Sequence, residues 1–367
     1  MKEEKLYKET KTNTHPPHLQ SPPTKNINHI KYNTSHTIPP SAASLSLAMA
    51  GHVNLTKGEV VGGRFQVEAK LGQGGFGSVY RALGLHTGER YALKVERGDR
   101  NVLLRELEAL SVVGGKGRVG PAPKEWWKLG NNSVLAMELK GETMRGVNGS
   151  LASVGVLMSL VLTLLGRLHH NGYVHRDIKA TNIVYGDPED PEDAHKIYLI
   201  DFGLSGMFRG PKGEHLPKRE GVRPKGTFQY LSVNSHKLVL QSRRDDLESL
   251  AYMAGRLLKG RLPWAFTRKK RPKHPEAARI KERRTQHIFS SCPPVFADFL
   301  EYVRGLAYDE EPDYVFWRDA FESLSLQDDP ENERLRKCRE DVWAPPPRLR
   351  PLPRTSSLPP KSQKSSL

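Results

Sequence analysis

The chain has 367 residues, a formal net charge of +16, 37% hydrophobic residues, 27 prolines and 32 glycines. A basic balance attracts polyanions in general, but no zinc-finger spacing, aromatic-rich RNA signature or heptad repeat supports direct reading of nucleic acid. The two cysteines, Cys292 and Cys338, form no metal or redox motif and read as reduced thiols.

Residues 1–57 are rich in Thr, Asn, His, Pro, Ser and Lys without periodicity and read as a disordered extension. They contain no apolar signal-type stretch, and the absence of arginine before Arg64 argues against a mitochondrial transit peptide. Met49 offers an alternative start. From Gly62 the pattern changes to short strand-like runs, RFQVEAKL, SVYRALGL and ERYALKVE, separated by Gly-rich turns, which predicts an antiparallel sheet. NVLLRELEALSVV, 101–113, has helical spacing at Leu103, Leu107 and Leu110. Strands are expected around 124–128 and 133–139, then helices at 150–170, 243–260, 293–307 and 313–325.

The apolar run LASVGVLMSLVLTLL, 151–165, falls short of the roughly twenty residues a membrane-spanning helix needs, so a buried core helix is expected and no membrane span. Residues 344–367 are basic and rich in Pro and Ser, which predicts a second unfolded tail. The PLP within it could dock on an aromatic groove. A β-rich part of about 58–139 followed by a helical part of about 140–343 predicts one α+β unit with two lobes and a cleft between them.

The chemistry-bearing residues cluster at that cleft. HRDIKATN, 175–182, and DFGL, 201–204, bring Asp177, Asn182 and Asp201 onto two neighbouring turns that flank a strand hairpin. Phosphoryl transfer needs such a set, with Asp177 to orient a hydroxyl, and Asn182 and Asp201 to offer oxygens to Mg²⁺. Lys179 can neutralise the transferring group, and His175 is expected to pack beneath the loop.

GQGGFGSV, 72–79, lies between two expected strands, where Gly72, Gly74 and Gly77 allow a hairpin to close over phosphates. YALK, 91–94, puts Lys94 on the next strand, where its ammonium can reach the α- and β-phosphates. Glu106 and Glu108 compete to be its counter-charge, and the apolar residues that follow favour Glu106. LAMELKGETM, 135–144, connects the lobes, with Met137 behind an adenine pocket and backbone around Glu138–Lys140 facing the base. Leu71, Val79, Ala92 and Leu139 complete the expected nucleotide contacts.

With these motifs assembled, the chain resembles eukaryotic protein kinases over about 60–343, and more narrowly the casein kinase 1 group. The narrower resemblance rests on GTFQYLSVNSH at 226–236, QSRRDDLESLAYM at 241–253, LPW at 262–264 and PDY at 312–314. Ser232-Val233-Asn234 stands where other kinases have Ala-Pro-Glu. KATN, 179–182, differs from the usual Lys-Pro-x-Asn and is similar to vaccinia-related kinases, whereas the intact HRD is not. The resemblance implies that Asp246 organises the catalytic loop through backbone hydrogen bonds and that Thr227 steadies Asp177 and Lys179. It implies a bilobed kinase fold with ATP and Mg²⁺ as cofactors; Lys179 suits Ser/Thr protein substrates, the reduced cysteines suit the cytoplasm or nucleus, and a monomer is expected.

Two features belong to this chain itself. No Ser, Thr or Tyr lies between Ser205 and Thr227, so an activation-loop phosphate has no acceptor there. The same stretch carries Lys212, Lys218, Arg219, Arg223 and Lys225 against Glu214 and Glu220, and TRKKRPK follows at 267–273. Beside a substrate groove these cations would favour acidic or phosphorylated segments. By resemblance Arg219 and Arg271 are the expected anion site, although 267–273 also reads as a nuclear-import signal. A pseudokinase scaffold, binding partners through the lobes and basic tails, is the alternative; filled catalytic positions speak against it. The GT-x-x-Y segment at 226–230 argues against a small-molecule phosphotransferase.

Overall fold

In a computed structural model the described residues are 54–342, apart from 76, 99–100, 116, 148, 265–270 and 327–332. Both terminal extensions, Met49, the PLP segment and residues 267–270 of the basic cluster lie outside the described residues. The first lobe is a six-stranded antiparallel sheet: β1 (Val60–Val61), β2 (Phe65–Gln73), β3 (Gly77–Gly84), β4 (Arg90–Glu96), β5 (Pro123–Leu129) and β6 (Asn132–Glu138), in the order β1-β2-β3-β4-β6-β5. Helix α1 (Val102–Val113) packs beside it.

Alternation along the strands separates two cores. Tyr91, Leu93 and Val95 of β4, with Val134 and Ala136 of β6, join Phe65, Tyr80 and Trp127 in one cluster. Ala92, Leu135 and Met137 turn to the opposite face, toward Leu103, Leu107 and Leu110 of α1. Lys94 shares the parity of Ala92, and this puts its ammonium on the face that lines the cleft.

The second lobe is built around α2 (Leu151–His170). Ser150 caps its start by accepting the Ser153 N–H at 3.1 Å. Residues such as Val154, Leu157, Met158, Val161 and Leu165 are buried in the main core, so this helix is apolar because protein surrounds it. Short strands follow: β7 (Tyr173–Val174), β8 (Ile183–Tyr185), β9 (Ile197–Leu199) and β10 (Gly206–Met207). β8 and β9 pair antiparallel, as β7 and β10 do.

Helices α3 (Val233–His236), α4 (Arg243–Lys259), α5 (His274–Arg284), α6 (Pro294–Gly305), α7 (Tyr314–Glu322) and α8 (Glu333–Val342) complete the lobe. Within α4 the Asp245 carboxylate accepts the Ser242 N–H at 2.7 Å, which fixes the helix entry. The architecture matches the α+β, two-lobed expectation. Helices α5 and α8 lie beyond the helices expected from sequence; in α5 only Ala277, Ala278 and Lys281 are buried, too few apolar positions to give a helical period.

Candidate active site

A cleft of about 2050 Å³ separates the lobes. Leu71, Gly72, Gly74, Gly77, Val79, Ala92, Lys94, Met137, Glu138 and Leu139 all line it. Val184 and Ile200 form part of its wall as well; the sequence motifs do not mark them, although Val184 lies two residues from Asn182 and Ile200 precedes Asp201. At the tip of the β2–β3 hairpin the Gly74 N–H donates to Gly77 O at 2.8 Å. A Cβ on Gly77 would stand 1.9 Å from Val95 O, whereas one on Gly72 or Gly74 would meet nothing within 4 Å. Gly77 is therefore required by strand packing, and the other two keep the loop's surface bare.

Lys94 Nζ lies 2.6 Å from Glu106 Oε2 and 2.6 Å from Asp201 Oδ1. Glu106 is buried and its Oε1 also accepts the Phe202 N–H at 3.3 Å, while Glu108 is exposed on the other side of α1. The structure thus brings Glu106, and not Glu108, to Lys94. Burial works against the Lys94 charge, but the Asp201 and Glu106 carboxylates outweigh it and hold its pKa above the usual lysine value. Asp201 is held below the ordinary carboxylate range, chiefly by the Lys94 charge. Burial raises Glu106, with Lys94 opposing. Asp201 has φ 68° and ψ 63°, a left-handed conformation uncommon for a non-glycine residue. It aims the carboxylate into the cleft.

Across the cleft Asp177 is held on both oxygens. Its Oδ1 accepts the Thr227 N–H at 2.7 Å, and its Oδ2 accepts from Lys179 Nζ at 2.6 Å and Asn182 Nδ2 at 3.2 Å. Lys179 also donates to Thr227 Oγ1 at 3.0 Å. Asn182 Nδ2 donates to Asp177 O at 2.9 Å, an orientation that turns its oxygen the other way. Asn182 enters β8 and Asp201 follows β9, so the hairpin sets the two at neighbouring ends.

Asp246 organises the loop from below. Its carboxylate accepts the N–H groups of His175 and Arg176 at 2.7 Å each and contacts His169 Nε2 at 3.0 Å. Burial opposes ionisation of Asp246, and these hydrogen bonds and the neighbouring histidines prevail, so its pKa is lowered. The His175 ring packs edge-on against Phe202 with centroids 5.0 Å apart, in line with the packing role expected for it.

The two expected anion residues are placed differently. Arg271 stacks on Phe228, 3.8 Å from the ring centroid, and lines the cleft with Arg223, Lys225 and His274. Arg219 is exposed and lies outside the cleft lining.

Residues 65–309 match the protein kinase domain family model. The chain is 30% identical over 277 residues to casein kinase I homolog 2 of Schizosaccharomyces pombe, a match covering 72% of this chain and 63% of that relative. It therefore spans under two thirds of the relative's length. Sheet lobe, helical lobe and cleft agree with both similarities, and the chain belongs to the protein kinase family, on its casein kinase 1-like side.

Proposed function

We propose that the protein transfers the γ-phosphate of ATP to serine and threonine hydroxyls of protein substrates. The observation that carries this reading is the convergence of Asp177, Lys179, Asn182, Asp201 and Lys94 on one cleft. Asp177 would orient the attacking hydroxyl, its carboxylate already fixed by the Thr227 N–H and Asn182. Lys179 would neutralise charge on the transferring group, and Lys94 would hold the α- and β-phosphates, with Glu106 keeping its ammonium in place.

The bare surface over Gly72 and Gly74 fits a phosphate chain, and the donor set suits a hard cation. Asn182 and Asp201 would hold Mg²⁺, which supplies charge neutralisation between the phosphates. Leu71, Val79, Ala92, Met137, Glu138 and Leu139 would surround the adenine.

Two finer properties belong to the same reading. The loop between Ser205 and Thr227 is already tied down, through Leu216 N to Phe208 O at 2.8 Å, Val222 N to Leu238 O at 2.9 Å and Leu240 N to Arg219 O at 2.8 Å. We read the enzyme as active without phosphorylation of this loop. Arg271, Arg223 and Lys225 at the cleft, with Arg219 farther out, would favour acidic or phosphorylated substrate segments. A monomeric enzyme of the cytoplasm or nucleus goes with this reading; that Cys292 and Cys338 form no disulfide suits such a compartment.

The test is an Mg-ATP assay on a peptide library with and without phosphorylated residues, with Asp177→Asn as the control. Transfer to Ser/Thr peptides that is lost in the control is expected. Substituting Arg219 and Arg271 by Glu should selectively reduce use of the phosphorylated peptides; equal loss on both sets would count against the anion site.

A further inference from the structure

The segment joining the lobes carries a largely buried lysine, Lys140, which lies with Asp193 in the lining of the cleft. Lys140 has only 7% of its side chain exposed, and its Nζ lies 2.7 Å from Asp193 Oδ2 and 3.2 Å from Glu138 Oε2. It also stands 4.2 Å from the centroid of the Tyr198 ring. Asp193, 53 residues further along, belongs to the loop between β8 and β9. Its side chain is 2% exposed and accepts a second bond at Oδ2 from the Asp187 N–H at 2.9 Å. Oδ1 accepts the Tyr198 hydroxyl, which in turn accepts the Gly117 N–H at 3.0 Å.

Backbone contacts tighten the same junction. Gly141 N donates to Tyr185 O at 2.8 Å and Tyr185 N to Glu142 O at 2.9 Å. A Cβ on Gly186 would lie 1.8 Å from Asp193 O, and one on Gly141 would lie 2.6 Å from Gly186 O. The loop has no slack against the joining segment. An ion pair removed from water this fully holds only while both partners are present, because either charge left alone is strongly unfavourable.

We infer that Lys140 and Asp193 are positioning residues that set affinity for the nucleotide, by clamping the segment 138–142 to the hairpin bearing Asn182 and Asp201. The clamp rests on the kinase reading above. Neither side chain touches the reacting groups. They fix the backbone that faces the base, relative to the hairpin whose ends hold the metal-side residues. Their loss therefore acts on ground-state binding of ATP and leaves the chemical step intact.

The experiment compares the full chain with Lys140→Met, Asp193→Asn and the double variant. KM for ATP is expected to rise ~10-fold in each single variant, with kcat at saturating ATP and KM for peptide within ~2-fold. The double variant should lose clearly less than the two single variants together, since the Lys140–Asp193 interaction is absent from all three. Unchanged KM for ATP, additive effects, or a parallel fall in kcat and peptide use would overturn the clamp.

Should the single variants not fold, the double variant leaves no unpaired buried charge and its KM for ATP decides. Amide hydrogen exchange of the unmodified chain is independent of all variants. The Gly141 amide should exchange as slowly as those of β6, and exchange at the rate of an exposed loop overturns the proposal. Failure of the unmodified chain to bind Mg-ATP would overturn the kinase reading and the clamp together, whereas equal Mg-ATP binding by every protein overturns the clamp alone.

Discussion

The Thr227 N–H donates to Asp177 Oδ1 at 2.7 Å, tying the loop on the substrate side to the carboxylate proposed to orient the hydroxyl. The Thr227 hydroxyl adds a second tie by accepting from Lys179 Nζ at 3.0 Å. Thr227→Ala keeps the backbone bond and deletes the acceptor. We expect kcat to fall ~10-fold with KM for ATP unchanged, because Lys179 loses one of its two partners while the nucleotide contacts stay. Steady-state kinetics with ATP and peptide varied separately measure this; an ATP effect without a kcat effect would contradict it.

The glycine hairpin separates two uses of glycine in one loop. Gly77→Ala drives a methyl against Val95 O, 1.9 Å away, while Gly74→Ala projects into open space. Gly77→Ala should lower stability by ~1–3 kcal/mol through overpacking between β3 and β4. Gly74→Ala should leave stability within ~1 kcal/mol. Urea denaturation of the two variants checks the order.

Asp245 ties stability to pH. Burial pushes its carboxyl up to about 6, despite hydrogen bonds from Ser232 and Ser242. The folded pKa lies above the unfolded value of 3.8, so the folded state binds the proton more tightly. Its contribution is complete below about pH 4 and is lost as pH rises through about 6. Between pH 4 and 7 this single group should remove about 2 kcal/mol from the unfolding free energy. Denaturant titrations across that range should show a shallower fall in Asp245→Asn than in the unmodified chain.

Much of the site could be read before any coordinates because its residues come in short contiguous strings. Asp177, Lys179 and Asn182 share one loop, and strand parity alone puts Lys94 on the face of Ala92. The choice of Glu106 over Glu108 follows from helix geometry: Glu106 shares a face with the buried Leu103, Leu107 and Leu110. Contacts between distant segments were not legible in this way. The 53-residue separation of Lys140 and Asp193 leaves no periodic signal. Lys281 sits in the polar run IKERR and reads as solvated, yet it is buried and donates to the carbonyls of Gln229, at 3.0 Å, and Leu231. The same polarity hid helix α5, whose buried face is two alanines and that lysine. For the anion site, linear proximity to the cleft motifs did not separate Arg219 from Arg223, and only the folded loop shows which of them reaches the cleft.

Phosphoryl transfer dependent on Asp177 and Asp201 is tested most directly by one measurement. The dephosphorylated full chain is incubated with Mg-ATP and a Ser/Thr peptide, beside Asp177→Asn and Asp201→Asn, with melting temperatures recorded for all three. Transfer by the unmodified chain, without any upstream kinase, and a loss of ~10³-fold or more in both variants at near-unchanged melting temperature is the expected result. Activity in Asp201→Asn equal to that of the unmodified chain would contradict the metal-holding role. No transfer by the unmodified chain would contradict the kinase reading itself.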